Sequence, residues 1–280
     1  MRIFPLIKDL RAFLDEQKAG GKRVGFVPTM GALHEGHLSL MRQAKAENDL
    51  LVVSIFVNPI QFNNPEDLKK YPRDVEGDKK LLESVGCDAL FLPSEDEMYP
   101  EPVTKVYDFG DLANVMEGVF RPGHFNGVAV VVHKLFDIVQ PDRAYFGEKD
   151  FQQLAIIKKM VQMENIPVEI IPCPIMRESD GLAMSSRNVR LTPEQRKNAP
   201  FIYQTLREAQ RRRKHLCAKP LQQMVINLFD ANKNFRLEYF EIVDDQNLQP
   251  IQNWNEHVGT VACVAAWMGE VRLIDNIRII

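Results

Sequence analysis

Across residues 23–171 short β-rich apolar runs alternate with stretches of helical apolar spacing, and this alternation restricts the fold more than any other feature of the chain. Strands separated by helical segments pair in parallel, because a parallel neighbour is reached only through a crossover of about a dozen residues or more. Residues 23–28 read as the first strand, 36–48 as a helix with Leu38, Met41 and Ala44 on one face, and 50–57 as a second strand. The second strand is apolar almost throughout, which suits a strand covered by helices on both faces. The series continues with a helix over 74–85, a strand over 88–92, a long buried helix over 126–139, a strand over 143–146, a helix over 149–164 and a last strand over 167–171.

After Cys173 the texture changes. A polar, turn-rich stretch over 177–188 leads through Thr192-Pro193, a helix start with proline at the first helical position, into a strongly charged helix. A second helix is expected over about 220–231, and a small antiparallel sheet over 236–243, 258–267 and 270–279. The expected class is α/β: a Rossmann-like parallel sheet domain over 1–175 and a smaller α+β C-terminal domain over 176–280.

With 45% hydrophobic and 26% charged residues the chain is neither disordered nor fibrous, and 280 residues make one large or two modest domains. Thirty-five Lys and Arg against 38 Asp and Glu leave a net charge of −3, which offers no general attraction for nucleic acid or an anionic membrane. An anionic ligand therefore needs a local site. No apolar run approaches the roughly 18 residues of a membrane span, and the charges at Arg2, Lys8, Asp9 and Arg11 break any signal-peptide core, so the cytoplasm is expected. The four cysteines, at 87, 173, 217 and 263, have neither zinc nor redox spacing and are expected as buried free thiols. The basic run over 211–215 closes a helix, where cations complement the dipole, and is expected to be solvated.

The most informative segment is Val27-Pro28-Thr29-Met30-Gly31-Ala32-Leu33-His34-Glu35-Gly36-His37. It leaves a strand, turns at Gly31 and enters a helix with His34 and His37 on the same side of its first turn. Unpaired N–H groups and the positive end of the helix dipole make phosphate the natural ligand there, and Gly36 removes a side chain where a base or ribose would collide. A solvent-exposed pair of helix-start histidines is the plain alternative. At the end of the next strand Asn58 and Gln61 are neutral amides suited to a hydroxyl and a carboxylate, although turn scaffolding explains Asn58-Pro59 equally well. The stretch from Arg121 to His124 brings a cation and an imidazole to a helix entry, as an anion site or as nothing more than that entry. Phe146-Gly147-Glu148-Lys149-Asp150 again follows a strand. Gly147 permits close backbone approach, and Lys149 is a compact cation able to follow charge between phosphate oxygens; an ordinary charged helix start is the alternative. Met184-Ser185-Ser186-Arg187-Asn188 could fold over a triphosphate or serve as a polar linker.

The His34-Glu35-Gly36-His37 turn resembles the signature of the nucleotidyltransferase and class I aminoacyl-tRNA synthetase superfamily, and the stretch from Pro28 to His37 resembles the pantothenate synthetase (pantoate–β-alanine ligase) family. The Asn58, Arg121, Gly147 and Met184 segments and Tyr71-Pro72-Arg73 extend the match over most of the first 190 residues, with Asn63-Asn64 standing where the family has a glycine. The resemblance implies an ATP-dependent ligase: the carboxylate of pantoate attacks the α-phosphate of ATP, giving pantoyl adenylate and pyrophosphate, and the amine of β-alanine then displaces AMP. It implies ATP contacts from Met30, Gly31, Ala32, Leu33, His34, Glu35, Gly36 and His37, and from Gly147, Glu148, Lys149 on the phosphates and Asp150 on the ribose. Further contacts are implied from the backbone of Met176 and from Met184, Ser185, Ser186 and Arg187. Gln61 and Gln153 would hold pantoate, Gln61 also β-alanine, with Asn58, Tyr71, Arg121 and His124 lining the pocket. His37 is expected to donate to the phosphate in the transition state, assisted by His34 and Lys149. Mg²⁺ is expected with ATP, its protein ligands unspecified, and family precedent implies a homodimer with a C-terminal lid and small-molecule partners only. A nucleotidylyltransferase acting on a phosphate ester would share the histidine turn but needs more cations and has less use for Asn58 and Gln61. A silent nucleotide-binding regulator would leave both histidines, Lys149 and the serines without a task.

Overall fold

The structure, a computed structural model that describes residues 1–254 and 259–280, opens with a strand of three residues, β1 (Arg2–Phe4), and the helix α1 (Ile7–Ala19). Then come β2 (Val24–Thr29), α2 (Glu35–Glu47), β3 (Leu50–Ile55), α3 (Pro65–Lys70), α4 (Val75–Ser84), β4 (Ala89–Phe91) and the single turn α5 (Glu95–Met98). After α6 (Glu117–Phe120) the chain runs through α7 (His124–Val139), β5 (Arg143–Gly147), α8 (Phe151–Glu164) and β6 (Glu169–Cys173). Helices α9 (Pro193–Asn198), α10 (Phe201–Arg212) and α11 (Ala218–Ala231) and strands β7 (Arg236–Asp244), β8 (Thr260–Met268) and β9 (Val271–Arg278) complete it.

The first six strands form one parallel sheet in the order β1-β4-β3-β2-β5-β6. From β2 the chain steps through β3 to β4 on one side, and it later returns to lay β5 against the other side of β2, so the direction of winding reverses between β2 and β5. In an open parallel sheet that reversal opens a crevice at the carboxyl ends of the strands, where ligands bind. All six residues of β3 are buried, as expected of a strand covered on both faces. One face carries Leu38, Met41 and Ala44 of α2 with Leu82 of α4, packed on Val27, Val53 and Leu90. On β2 and β5, Phe26 and Phe146 meet Phe136 of α7 edge-on, with ring centroids 6.4 Å apart in each case.

Residues 23–28 were expected as the first strand, whereas β1 precedes them. It is short, largely exposed and held by parallel pairing to β4, so nothing local in its sequence announces it. The last parallel strand lies two residues beyond the expected 167–171. The single charged helix expected after Thr192-Pro193 is two: α9 starts in a reciprocal cap between Thr192 and Gln195, and Pro200, at the entry to α10, breaks the run. Part of the expected strand 258–267, Val258, lies outside the described residues.

The described residues form two compact units. Met1–Phe109, Arg121–Glu148 and Gln153–Pro174 make the first, which holds the parallel sheet. Gly110–Phe120, Lys149–Gln152 and Ile175–Ile280 make the second, whose antiparallel sheet β7-β8-β9 packs with α10 and α11 around Leu206, Leu221, Val225, Phe240 and Val264. Besides the residues from Ile175 onward, the second unit includes two stretches that precede them in the chain. Glu117 binds the Arg272 guanidinium at 2.6 and 2.8 Å and accepts from the Tyr239 hydroxyl at 2.8 Å, and Asn276 Nδ2 donates to the Lys149 carbonyl at 2.9 Å. Three cysteines are buried as expected, but Cys217 is exposed at the entry to α11.

Candidate active site

Leaving β2, the chain takes left-handed backbone at Gly31 (φ 78°) and at Ala32 (φ 50°) before α2 begins. The second is strained for a residue with a Cβ, and Asp78 of α4 holds it in place: Oδ2 accepts from Ala32 N–H at 2.9 Å and Oδ1 from Leu33 N–H at 2.7 Å. A Cβ at Gly31 would lie 2.9 Å from the same carboxylate and 3.0 Å from Ile55. Burial pushes the Asp78 carboxyl above its ordinary range, and the two backbone donors work against that shift.

The two imidazoles close the helix end between them. His34 is the N-cap, its Nδ1 accepting from Gly36 N–H at 3.1 Å, and His37 Nδ1 accepts from His34 N–H at 3.3 Å. The rings lie 4.1 Å apart. The N–H groups expected to be unpaired are in part taken, since His37 and Leu38 N–H also donate to the His34 carbonyl at 2.8 and 3.1 Å. A backbone N–H can only donate, so both Nδ1 atoms carry lone pairs and the protons of the neutral rings sit on Nε2. Each ring thus presents an N–H donor, the chemistry an anionic oxygen takes. Glu35, beside them, is exposed and paired with Arg42.

Past β3 the turn Pro59–Gln61 brings two amides together. Asn58 Nδ2 donates to Gln61 Oε1 and to the Gly127 carbonyl, both at 3.1 Å, while Asn58 Oδ1 accepts from the Tyr99 hydroxyl at 2.9 Å. Gln61 Nε2 lies 3.0 Å from Met30 Sδ, which ties this turn to the one after β2. His124 Nδ1 meets the Gln61 carbonyl at 2.8 Å, so that nitrogen holds the proton. Asn58 and His124, expected to line a pocket, therefore spend these polar atoms on the protein and shape the position of Gln61. Gly127 allows the close approach: a Cβ there would sit 2.5 Å from the Ile60 carbonyl and 2.6 Å from Gln61 Cα. Tyr71 is buried, edge-on to Phe62, and the Arg121 carbonyl accepts from His124 N–H at 3.1 Å. Gly147 closes β5, across the winding reversal from β2, Glu148 opens the turn that follows, and Gln153 is half-buried on α8.

In the second unit, Lys149 Nζ lies 3.6 Å from Asp150 Oδ2. Their turn is fastened by Asn276 and by buried Gln152, whose Oε1 takes Glu117 N–H and whose Nε2 donates to the Leu112 and Val115 carbonyls, each at 2.9 Å. Met184 N–H donates to the Met176 carbonyl at 3.0 Å across a short bridge between Arg177 and Ala183. Ser185 caps the turn Ser186–Arg190, its Oγ accepting from Arg187 N–H at 3.3 Å. Arg177 grips Asp275 through two bonds of 2.6 and 2.9 Å and stacks 3.9 Å from the centre of the Tyr203 ring. Burial pushes the Asp275 carboxyl up, against the pull of Arg177 and Lys149.

Sequence reasoning missed Asp78, Tyr99 and Gly127. Asp78 had a signal: it stands four residues before Leu82, on the buried face of an amphipathic helix where an acid needs a reason. Gly127, in the apolar helix α7, had a weaker one. Tyr99 had none, since its partner lies 41 residues away.

The sequence profile described as pantoate-beta-alanine ligase matches residues 2–278. Pantothenate synthetases of Bacteroides thetaiotaomicron and Porphyromonas gingivalis are 52% and 51% identical to the chain over 278 residues, covering 99% of both sequences in each pair. A crystal structure of pantothenate synthetase from Thermus thermophilus superposes with a TM-score of 0.94 at 45% identity, covering 100% of this chain and 99% of that one. The pantoate-beta-alanine ligase of Francisella tularensis, crystallised with beta-gamma ATP and β-alanine, gives 0.83 at 38% identity and covers 100% and 98%. With agreement along the whole chain in sequence and in fold, this protein belongs to the pantoate–β-alanine ligase family.

Proposed function

We propose that the turn after β2 and the amide pair at Asn58 and Gln61 seat the reactants of the family's reaction, the ATP-dependent joining of pantoate to β-alanine. The observation that carries this reading is the imidazole pair: two Nε2–H donors, locked by their own helix cap, meet the chemistry a triphosphate needs. In the first step a carboxylate oxygen of pantoate attacks the α-phosphorus and the bond to the β-phosphate breaks, releasing pyrophosphate and leaving pantoyl adenylate. In the second the amine of β-alanine attacks the acyl carbon, AMP departs with the electron pair of the C–O bond, and the nitrogen loses a proton. A carboxylate needs this activation because oxide is not a usable leaving group. The protein's contribution is alignment and stabilisation of charge growing on phosphate oxygens.

His37 donates from Nε2 to the α-phosphate as its charge grows, with His34 beside it. The backbone from Met30 to Gly36 takes the nucleotide, with Gly147, Glu148, Lys149 and Asp150; Lys149 binds phosphate and Asp150 the ribose. Met176, Met184, Ser185, Ser186 and Arg187 complete the ATP contacts. Gln61 and Gln153 hold pantoate, with Tyr71 and Arg121 lining the pocket and Asn58 and His124 supporting Gln61. Mg²⁺, expected with ATP, would screen the charge of the triphosphate, while Lys149 and the two imidazoles would bind the phosphate oxygens. No described helix is long and apolar enough to cross a membrane, and the reading places the enzyme in the cytoplasm as a homodimer, which sedimentation equilibrium tests.

The deciding experiment is pyrophosphate release from Mg·ATP with pantoate present and β-alanine absent. A pantoate-dependent burst that becomes steady turnover, with AMP and pantothenate, only when β-alanine is added is the expected result. Release indifferent to pantoate would assign the site to another nucleotidyl acceptor.

A further inference from the structure

The Gly127 carbonyl can only accept a hydrogen bond, so the Asn58 atom 3.1 Å from it is the amide nitrogen. That fixes Asn58 without appeal to any substrate. Its second N–H points to Gln61, and the atom receiving it must be Oε1. Gln61 is thereby turned so that its Nε2, a donor, is the end not spent on Asn58; it lies 3.0 Å from the weakly accepting sulfur of Met30. One atom of the relay is left over, Asn58 Oδ1, in a side chain only 1% exposed, and the Tyr99 hydroxyl satisfies it at 2.9 Å. The Tyr99 ring is held independently, edge-on to Phe56 with centroids 5.9 Å apart and with Lys134 Nζ 5.5 Å from its centre.

We infer that Tyr99 is a positioning residue for the acid substrate, acting through Asn58 to keep the N–H end of the Gln61 amide turned toward the pantoate carboxylate. The inference rests on the reading of Gln61 as the pantoate ligand. Without the hydroxyl, Asn58 Oδ1 is a buried acceptor with no donor, and the neighbouring amide can supply one only if both amides turn, Asn58 giving up its bond to the Gly127 carbonyl and Gln61 swinging Nε2 inward. Gln61 would then present Oε1, an acceptor, to an anionic substrate. The nucleotide side of the site, built on the turn after β2, meets this exchange only at the Met30 sulfur, a weak acceptor.

The test is Tyr99→Phe, which keeps the ring and removes one oxygen. The expected result is a KM for pantoate raised by about tenfold, as for a misdirected charged hydrogen bond, with the KM for ATP unchanged. Asn58→Asp, which accepts from Tyr99 but cannot donate to Gln61, should show the same pantoate-specific defect more strongly. In a Gln61→Ala background Tyr99→Phe should add nothing to the pantoate defect, whereas a purely structural role would weaken both backgrounds alike. Side-chain NMR supplies a readout apart from catalysis: the buried, bonded Asn58 amide protons are expected to exchange slowly in the wild type and to lose protection in Tyr99→Phe. A wild-type pantoate KM with unchanged Asn58 protection would overturn the inference. Wild-type enzyme lacking any pantoate dependence would instead overturn the reading on which it rests, and the exchange measurement would still report on the relay.

Discussion

At the scale of single residues the histidine pair caps α2 and, on the proposed function, also donates to phosphate, and a substitution can separate the two. Glutamine at the third helical position can still accept from the N-cap N–H, as in a capping box, but offers no imidazole Nε2–H. His37→Gln is therefore expected to keep its melting temperature and ATP affinity while pantoate adenylation falls about 10²–10³-fold, the usual loss for one transition-state donor. Single-turnover pyrophosphate release and a thermal melt check it together; weakened ATP binding at normal rate would contradict the assignment. The pair was legible because its spacing is local: residues three apart on a helix share a side whatever surrounds them. What the spacing could not show is that each ring turns Nδ1 to the backbone, since that depends on how the chain arrives from Gly31 and on Asp78 holding the two N–H groups after it.

Between elements, the decisive contact is α7 against the turn Pro59–Gln61. Gly127 is its point of closest approach, so Gly127→Ala must push the helix away from the turn or distort Asn58 and Gln61. The expected outcome is a loss of about 1–3 kcal/mol of stability, as in overpacked cores, measured by urea unfolding, together with a raised KM for pantoate. Wild-type stability and pantoate KM would show that the contact yields more easily than its geometry indicates. Helix α7 was readable as a buried helix from its apolar run, but the surface it meets was not, because a strand-end turn leaves no periodic trace. Proline gave only half its signal: Pro193 marks the start of α9 as expected, whereas Pro200 divides what pattern alone reads as one helix.

Over the whole molecule, charge is buried where distant segments meet. Arg272 of β9 lies between Glu117 and Glu238, all three side chains at most 15% exposed, and Glu117 belongs to a stretch 155 residues earlier in the chain. Arg272→Ala leaves two carboxylates buried without their cation and is expected to cost about 3–5 kcal/mol, read as a fall in the denaturation midpoint. The thiols make a second global test. Burial pushes Cys87 and Cys173 up to about 12 and Cys263 further, while Cys217 is exposed, so at pH 8 a thiol reagent should modify Cys217 alone until the protein is unfolded. The parallel α/β architecture, the antiparallel C-terminal strands and the family were legible from residue order alone, because apolar period, turn residues and short motifs act over a few neighbouring positions. It took the folded chain to join β1 to the sheet edge, to put residues 110–120 and 149–152 in the second unit, and to set Tyr99, Asp78 and Gly127 against the turns of the candidate site. Those outcomes rest on hydrogen bonds, burial and close packing between residues far apart in the chain, and such contacts exist only once the strands are in register.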